Sequence, residues 1–110
     1  MKVDVTDLSP TRKQMTVEIA LDDVERETES VLQGYRAKAS IDGFRKGKAP
    51  MSVIRKRFAD ALKEDVRDRI VGRSFAAAAK EKGLRPLGEP ALDELTHEDG
   101  KPLSFKTTFD

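Results

Sequence analysis

The sequence contains no cysteine and no tryptophan, and it has one histidine and one tyrosine among 110 residues. The lack of cysteine excludes a disulfide framework and a thiolate metal site, and it is typical of a cytoplasmic protein. With a single histidine, a histidine-based metal centre is not expected. No run of about 18 apolar residues occurs, so we expect no membrane-spanning helix, and the polar start predicts no signal peptide.

The length of the chain suits one domain, because about 110 residues can bury roughly 60 to 70 % of their unfolded surface in one core. Hydrophobic and charged residues each make up 37 %, whereas aromatic residues make up 5 %. The core must therefore come mainly from aliphatic side chains. We interpret residues 1–110 as a single domain. Because Asp110 directly follows an apparent strand, we expect this domain to belong to a longer parent chain.

The net charge of +1 conceals a strong asymmetry along the chain. Residues 36–57 carry eight bases and one acid, a net charge of +7, so the other 88 residues carry −6. The basic residues of this segment are Arg36, Lys38, Arg45, Lys46, Lys48, Arg55, Lys56 and Arg57. A basic segment between acidic ends favours an acidic partner, namely nucleic acid or a complex that contains it.

Alternating apolar residues predict two strands near the amino terminus, Lys2–Leu8 and Met15–Leu21, with a turn between them at residues 9–10. The period then changes to that of a helix. Asp22 and Glu25 have the spacing of a capping box, so we expect the first helix to begin there and to end near Ala39.

Glycine and proline interrupt the helical pattern between residues 43 and 50, which predicts an exposed loop. Pro50 suits the first turn of a second helix, and Asp60 is the expected cap of a third helix that ends just before Gly83. Residues 91–95 and 103–109 predict two further strands. Because strands and helices are segregated along the chain, we expect an α+β fold in which helices cover an antiparallel sheet.

The loop GFRKGKAP, residues 43–50, is the strongest candidate site. An exposed aromatic ring beside a guanidinium has the composition of a binding hot spot, because the ring supplies apolar area and Arg45 supplies a directional partner for a carboxylate or phosphate. The alternative is that Phe44 folds back onto the sheet and the bases are merely solvated. The residue pattern alone leaves both interpretations open.

Other known motifs do not fit this sequence. The loop differs from a phosphate-binding P-loop in the spacing of its glycines and in the Ala49-Pro50 that follows Lys48. The acidic pairs at 22–23 and 64–65 are expected at or near the first turns of helices, and no serine lies in a nucleophile elbow. We therefore expect no enzyme activity, no catalytic residues, no cofactor, no metal and no small-molecule ligand.

The loop matches the G-F-R-x-G-K-x-P signature of the trigger factor family, the bacterial ribosome-associated chaperones. The likeness extends to Ile41-Asp42 before the loop, to the segment from Arg55 to Ala59, and to Glu81-Lys82 with the connector that follows. The whole chain resembles the amino-terminal domain of the family. The resemblance implies a four-stranded antiparallel sheet packed by helices, with the loop at the tip of a helical hairpin.

The resemblance also implies a docking role on the large ribosomal subunit beside the nascent-chain exit. Phe44, Arg45 and Lys46 would be the principal contacts, with Arg45 paired to an acidic side chain of a ribosomal protein at the rim. The residues that would shape or support the loop are Gly43, Gly47, Lys48 and Pro50, and those expected to contact phosphates of the adjoining ribosomal RNA are Arg36 and Lys38. Nascent polypeptides are expected partners, and a membrane is not.

A second function stays open at this point, that of a free-standing basic RNA-binding module that uses residues 36–57 on phosphates. Few aromatic residues suited to base stacking accompany these bases, which makes this alternative weaker. The family's parent chain carries a prolyl isomerase domain and a carboxy-terminal domain. Neither is present in residues 1–110, so we expect this chain to be no isomerase.

Overall fold

Four strands and three helices make up most of the chain in the computed structural model, which describes all residues 1–110. They are, in chain order, β1 (Lys2–Asp7), β2 (Lys13–Ile19), α1 (Leu21–Lys38), α2 (Met51–Arg57), α3 (Ala59–Glu81), β3 (Ala91–Thr96) and β4 (Leu103–Phe109). None of the three helices combines the length and the apolar character that a membrane span requires.

The four strands form one antiparallel sheet in the order β1-β2-β4-β3. The central strands β2 and β4 pair Val17 with Phe105 and Ile19 with Leu103. All four of these side chains are buried on the face that the helices cover. The predicted α+β fold and its four-stranded antiparallel sheet are thus confirmed.

Two helix starts differ from the prediction. The first helix begins at Leu21, because the carbonyl oxygen of Ala20 already accepts the amides of Asp23 and Val24 at 3.1 Å. Asp22 therefore lies in the first turn instead of capping it, and the expected strand residue Leu21 is helical. In α3 the amide of Leu62 donates to the carbonyl of Phe58 at 2.7 Å, so that Asp60 is likewise inside the helix.

The predicted end of α3 is confirmed. Gly83 has a positive φ of 68°, its amide donates to the carbonyl of Lys80, and the amide of Leu84 donates to the carbonyl of Ala79. This pair of bonds is the Schellman pattern, which turns the chain out of a helix at a glycine. The connector then leads to β3 at the edge of the sheet.

One hydrophobic core joins the sheet to all three helices. The helical stripe expected from the sequence contributes Val24, Val31 and Leu32, which are all buried. Phe75 of α3 meets Phe109 of β4 edge to face, with ring centroids 5.5 Å apart. Since α1 packs on both α2 and α3, the loop between α1 and α2 stands at the turn of a helical hairpin.

Candidate functional site

Two consecutive tight turns shape the loop between α1 and α2. The amide of Phe44 donates to the carbonyl of Ile41 at 3.0 Å, and the amide of Lys48 donates to the carbonyl of Arg45 at 2.9 Å. Gly43 and Gly47 occupy the third position of these turns with φ values of 89° and 80°. A turn with positive φ at this position strongly favours glycine, because a side chain there is strained. The two glycines therefore set the path of the loop.

The turns present the predicted contact residues to solvent. Phe44 ends the first turn, Arg45 opens the second, and Lys46 follows it, and all three are exposed. Phe44 keeps 44 % of its surface accessible and is one of only five large apolar side chains that are exposed. The ring does not fold back onto the sheet, so the buried alternative for Phe44 is wrong.

A hydrogen bond from α1 holds the base of the loop. Nε of Arg36 donates to the carbonyl oxygen of Ala49 at 2.8 Å, and Ala49 is 2 % exposed. Arg36 is half-buried, whereas Lys38 two residues later is exposed. The two residues expected to contact phosphates thus differ: Arg36 braces the loop, while Lys38 has its side chain in solvent.

A second contact braces the hairpin beneath the loop. The hydroxyl of Tyr35 on α1 donates to Oδ2 of Asp65 on α3, and its ring lies 5.3 Å from the ring of Phe58. Burial and this hydrogen bond to Asp65 raise the pKa of Tyr35 from 10.0 to about 12. Because α3 begins at Ala59, the acidic pair 64–65 lies beyond its first turn. Asp65 connects α3 to α1 through its hydrogen bond with Tyr35.

The basic residues of segment 36–57 form no ion pairs within the domain. The protein has seven ion pairs, and none of them involves a basic residue of segment 36–57. Arg55, Lys56 and Arg57 are exposed on α2, the helix that continues from the loop. Because no carboxylate of the domain pairs with these three charges, their field is available to an acidic surface outside the molecule.

The supporting residues of the loop occupy distinct positions. Lys48 is exposed at the end of the second turn, and Pro50 is the last residue before α2, with a φ of −59° that suits a helix start. A Cβ added at Gly47 would lie 3.9 Å from the carbonyl oxygen of Ala37, an ordinary contact. The requirement for glycine at this position is therefore conformational and not steric.

A groove of about 710 Å³ lies beside α1 and α3 near His97. The pKa of His97 is lowered, first by burial and then by the nearby charge of Lys63. Thr28 is the hydroxyl side chain that lines the groove, and its Oγ1 donates to the carbonyl of Val24 instead of to a base. The one hydroxyl of the groove thus bonds to the backbone of its own helix.

Sequence reasoning missed both braces, Arg36 with Ala49 and Tyr35 with Asp65. The partners lie 13 and 30 residues apart in the chain, so no local spacing connects them. The one available signal was compositional, since Tyr35 is the only tyrosine and a partly buried tyrosine hydroxyl usually finds a hydrogen-bond partner.

Comparison with known proteins gives consistent matches over the entire chain. Residues 1–110 match the family model described as bacterial trigger factor protein. The chain is similar to the trigger factors of Alkalilimnicola ehrlichii, 34 % identical over 110 residues, and of Pseudomonas putida, 41 % identical over 111 residues. It is fully covered in both alignments but spans only 24 % and 25 % of those relatives.

A solved structure of the trigger factor chaperone, from a study of promiscuous substrate recognition in folding and assembly, has the same fold. The TM-score is 0.78 at 16 % sequence identity, and the match covers 99 % of this chain and 26 % of the other.

Proposed function

Because this chain belongs to the bacterial trigger factor family, whose model matches all 110 residues, we propose that it is the ribosome-docking domain of a co-translational chaperone. It binds the large ribosomal subunit beside the nascent-chain exit through the loop of residues 43–50. The observation that carries this proposal is the exposure of Phe44 next to Arg45 between two glycine turns, in a basic segment, residues 36–57, that forms no ion pair within the domain.

The chemistry of the loop suits a mixed protein and RNA surface. The ring of Phe44 supplies apolar area that loses water on contact, and Arg45 supplies a planar set of donors that matches a carboxylate. We assign the Arg45 partner to an acidic side chain of a rim ribosomal protein. Lys46 and Lys38 are exposed and add contacts to phosphates of the adjoining ribosomal RNA.

The rest of the loop supports these contacts. Gly43 and Gly47 give the turns their shape, Lys48 and Pro50 lead the chain back to α2, and Arg36 fixes the return through Ala49. A loop that is ordered before binding loses less conformational entropy when it docks. The preformed turns therefore contribute to affinity without touching the partner.

Docking at the exit places the domain among nascent polypeptides in the cytoplasm, and these are its further partners under this proposal. The chain spans about a quarter of the length of its curated relatives. Activities that belong to the remainder of such proteins, prolyl isomerisation among them, are not assigned to residues 1–110.

The test is co-sedimentation of the domain with purified large ribosomal subunits. Replacement of Phe44, Arg45 and Lys46 by alanine should weaken binding by roughly 30-fold, about 2 kcal/mol, because hot-spot residues carry most of the binding free energy. The matched control replaces Leu92, Lys80 and Lys82, one exposed apolar residue and two bases outside the loop. Equal binding by the two triple variants would contradict the proposal.

A basic RNA-binding module is the second candidate, favoured by the eight bases of residues 36–57 that lack ion pairs. If all eight neutralised phosphates, affinity would fall on the order of 10⁴-fold between about 50 and 200 mM salt. Docking that rests on Phe44 and one Arg45–carboxylate pair depends less on salt, because apolar burial is not screened.

Salt titrations on large subunits, on naked ribosomal RNA and on the isolated rim protein separate the two candidates. We expect the weaker salt dependence on large subunits, and binding to the rim protein that is lost in Arg45→Ala. Equal affinities for naked RNA and subunits, both with the steep slope, would favour the RNA-binding module instead.

A further inference from the structure

The single acid of the basic segment 36–57 is Asp42, which directly precedes the docking loop, residues 43–50. Asp42 is exposed, and its carboxylate takes part in none of the ion pairs or side-chain hydrogen bonds of the domain. Among the 11 aspartates, only Asp42 and Asp99 are followed by glycine. The carboxyl group of Asp42 therefore lies free in solvent next to the backbone amide of a glycine.

The backbone of the turn leaves the amide of Gly43 without a partner. The turn is closed by the amide of Phe44, which donates to the carbonyl oxygen of Ile41 at 3.0 Å, whereas the amide of Gly43 donates to no other backbone group. Gly43 has no Cβ, and a Cβ built at this position would meet no atom within 4 Å. No side chain of its own and no neighbouring atom thus shields the nitrogen of Gly43 from an approaching group.

We propose that Asp42–Gly43 is a site of spontaneous aspartate isomerisation. The amide nitrogen of Gly43 attacks Cγ of the Asp42 carboxyl group and forms a new N–C bond in a five-membered succinimide ring. The amide proton and a carboxyl OH leave together as one water molecule. Water then adds to the main-chain carbonyl of the ring and breaks the bond from that carbon to the Gly43 nitrogen. The product is isoaspartate, in which the main chain runs through Cγ, and the mass of the protein is unchanged.

The reaction requires the turn to open. A positive φ of 89° at Gly43 after a residue with negative φ belongs to a turn that fixes ψ of Asp42. Ring closure brings the Gly43 nitrogen to Cγ by rotation about that same bond. The turn is closed by one backbone hydrogen bond among exposed and half-buried residues, and such segments open at low cost in free energy. A partner that holds the loop closed should therefore slow the reaction.

Isomerisation changes the shape of the loop and leaves its charge almost unaltered. Isoaspartate keeps one carboxylate, but it inserts one additional carbon atom into the main chain between Ile41 and Phe44. The turn that presents Phe44 and Arg45 can then no longer close in the same way. We expect the isomerised protein to bind the large ribosomal subunit more weakly. This consequence rests on the proposed docking function, whereas the isomerisation itself does not.

The turn between β3 and β4 offers a matched internal comparison. The amide of Lys101 donates to the carbonyl oxygen of Glu98 at 3.2 Å, and Gly100 has a φ of 74°. Asp99 is exposed and occupies the same position in this turn as Asp42 does in the other. Isomerisation is expected at Asp99 as well, but this turn is separate from the docking loop.

The first test follows the chemistry without the ribosome. Residues 1–110 are incubated at neutral pH in water enriched in heavy oxygen and then digested with trypsin, which releases Asp42 in the peptide of residues 39–45. We expect a second form of this peptide with a different retention time, and incorporation of one heavy oxygen with each ring opening. Asp42→Glu cannot form a five-membered ring and should lose both signals, while the signals at Asp99 persist. Absence of both signals from the unsubstituted peptide would overturn the proposal.

The second test measures the consequence for docking. The incubated protein is mixed with a limiting amount of large ribosomal subunits, and peptides from the bound and unbound fractions are compared. The isoaspartate form at position 42 should be depleted roughly tenfold from the bound fraction, because the residues that follow it carry most of the binding free energy. The isoaspartate form at position 99 should be equally abundant in both fractions.

The variant with Phe44, Arg45 and Lys46 replaced by alanine separates the two ways in which this test can fail. If that variant loses binding but isoaspartate at position 42 is not depleted, the consequence for docking is overturned. If that variant binds as well as the unsubstituted protein, the proposed docking function fails. The isomerisation of Asp42 is then decided by the peptide analysis alone.

Discussion

A hydrogen bond between Arg36 and Ala49 connects the last turn of α1 to the end of the loop of residues 43–50. Nε of Arg36, in the last turn of α1, donates to the carbonyl oxygen of Ala49 at 2.8 Å, one residue before Pro50 leads into α2. Ala49 is almost fully buried, so its carbonyl has little access to water in place of the guanidinium. A basic residue within the segment expected to face phosphates thus has an internal structural role.

Replacement of Arg36 by methionine should lower the free energy of unfolding by about 1 to 3 kcal/mol, because the carbonyl of Ala49 loses its donor. Binding to the large subunit should weaken as well, since the loop is no longer braced. Lys38→Met is the control, with the same loss of charge on an exposed side chain. Urea titrations of the two variants check this, and equal stability in both would show that Arg36 braces nothing.

Substitution of Gly43 by alanine should cost about 1 kcal/mol in folding and reduce ribosome affinity. A Cβ at this position meets no atom within 4 Å, so the cost comes from the positive φ of 89°. Gly34→Ala is the opposite case. Gly34 lies in α1 with open space around it, and alanine there should stabilise the protein by about 0.5 to 1 kcal/mol. Thermal unfolding of both variants shows whether their stabilities change in opposite directions. Stabilisation by Gly43→Ala would contradict the backbone strain expected at its positive φ.

Val31 of α1 lies 4 % exposed in the hydrophobic core. Val31→Asp should destabilise the protein by about 3 kcal/mol or more through an unpaired buried charge, which lowers the melting temperature by on the order of 10 °C or more. The neighbouring Ser30 is exposed, so Ser30→Asp serves as control and should change little. An unchanged melting temperature for Val31→Asp would contradict the described core.

The pKa of Tyr35 should make the stability of the domain depend on alkaline pH. Because folding raises this pKa from 10.0 to about 12, the native state favours the protonated hydroxyl. The stabilisation is fully present below pH 10.0 and decreases as the pH rises through 10.0 to about 12. Tyr35→Phe should remove this pH dependence.

Tyr35 is the only tyrosine and there is no tryptophan, so ultraviolet absorbance of the tyrosinate reports this residue alone. Titration of the native protein should give an apparent pKa of Tyr35 well above 10.0. Asp65→Asn should lower this pKa, because the hydrogen bond and the charge of Asp65 both raise it. Asp68→Asn, at an exposed site, should leave it unchanged. A native pKa that equals that of the urea-unfolded protein would contradict the Tyr35–Asp65 bond.

The strands were predictable because a half-buried strand alternates its residues. In β2, Met15 and Val17 alternate with polar residues. In β4, the buried Phe105 and Thr107 alternate with half-buried residues, and the structure pairs these two strands directly. The end of α3 was also predictable from the sequence, because Gly83 supplies the positive φ that a Schellman turn needs. Both signals are local, and local signals are the ones that sequence patterns carry.

The helix starts were less predictable. Asp22 and Asp60 have the residue type of a cap, yet α1 and α3 begin earlier, and no side chain caps either of them. Val24 and Leu62, near the starts of these two helices, are buried in the common core. Aspartate stabilises a helix both as its cap and inside its first turn, where its charge interacts with the positive end of the helix dipole. The residue type alone therefore could not distinguish a capping position from a first-turn position.

The sequence by itself determined the α+β class, the location of the loop between two helices, and the concentration of positive charge around it, because each follows from residues close together in the chain. Only the tertiary structure decided that Phe44 is exposed, that Arg36 braces Ala49 while Lys38 does not, and that Tyr35 meets Asp65. These outcomes depend on how α1, α2 and α3 pack against each other. Packing brings together residues that are far apart in the sequence, and no local sequence pattern connects them.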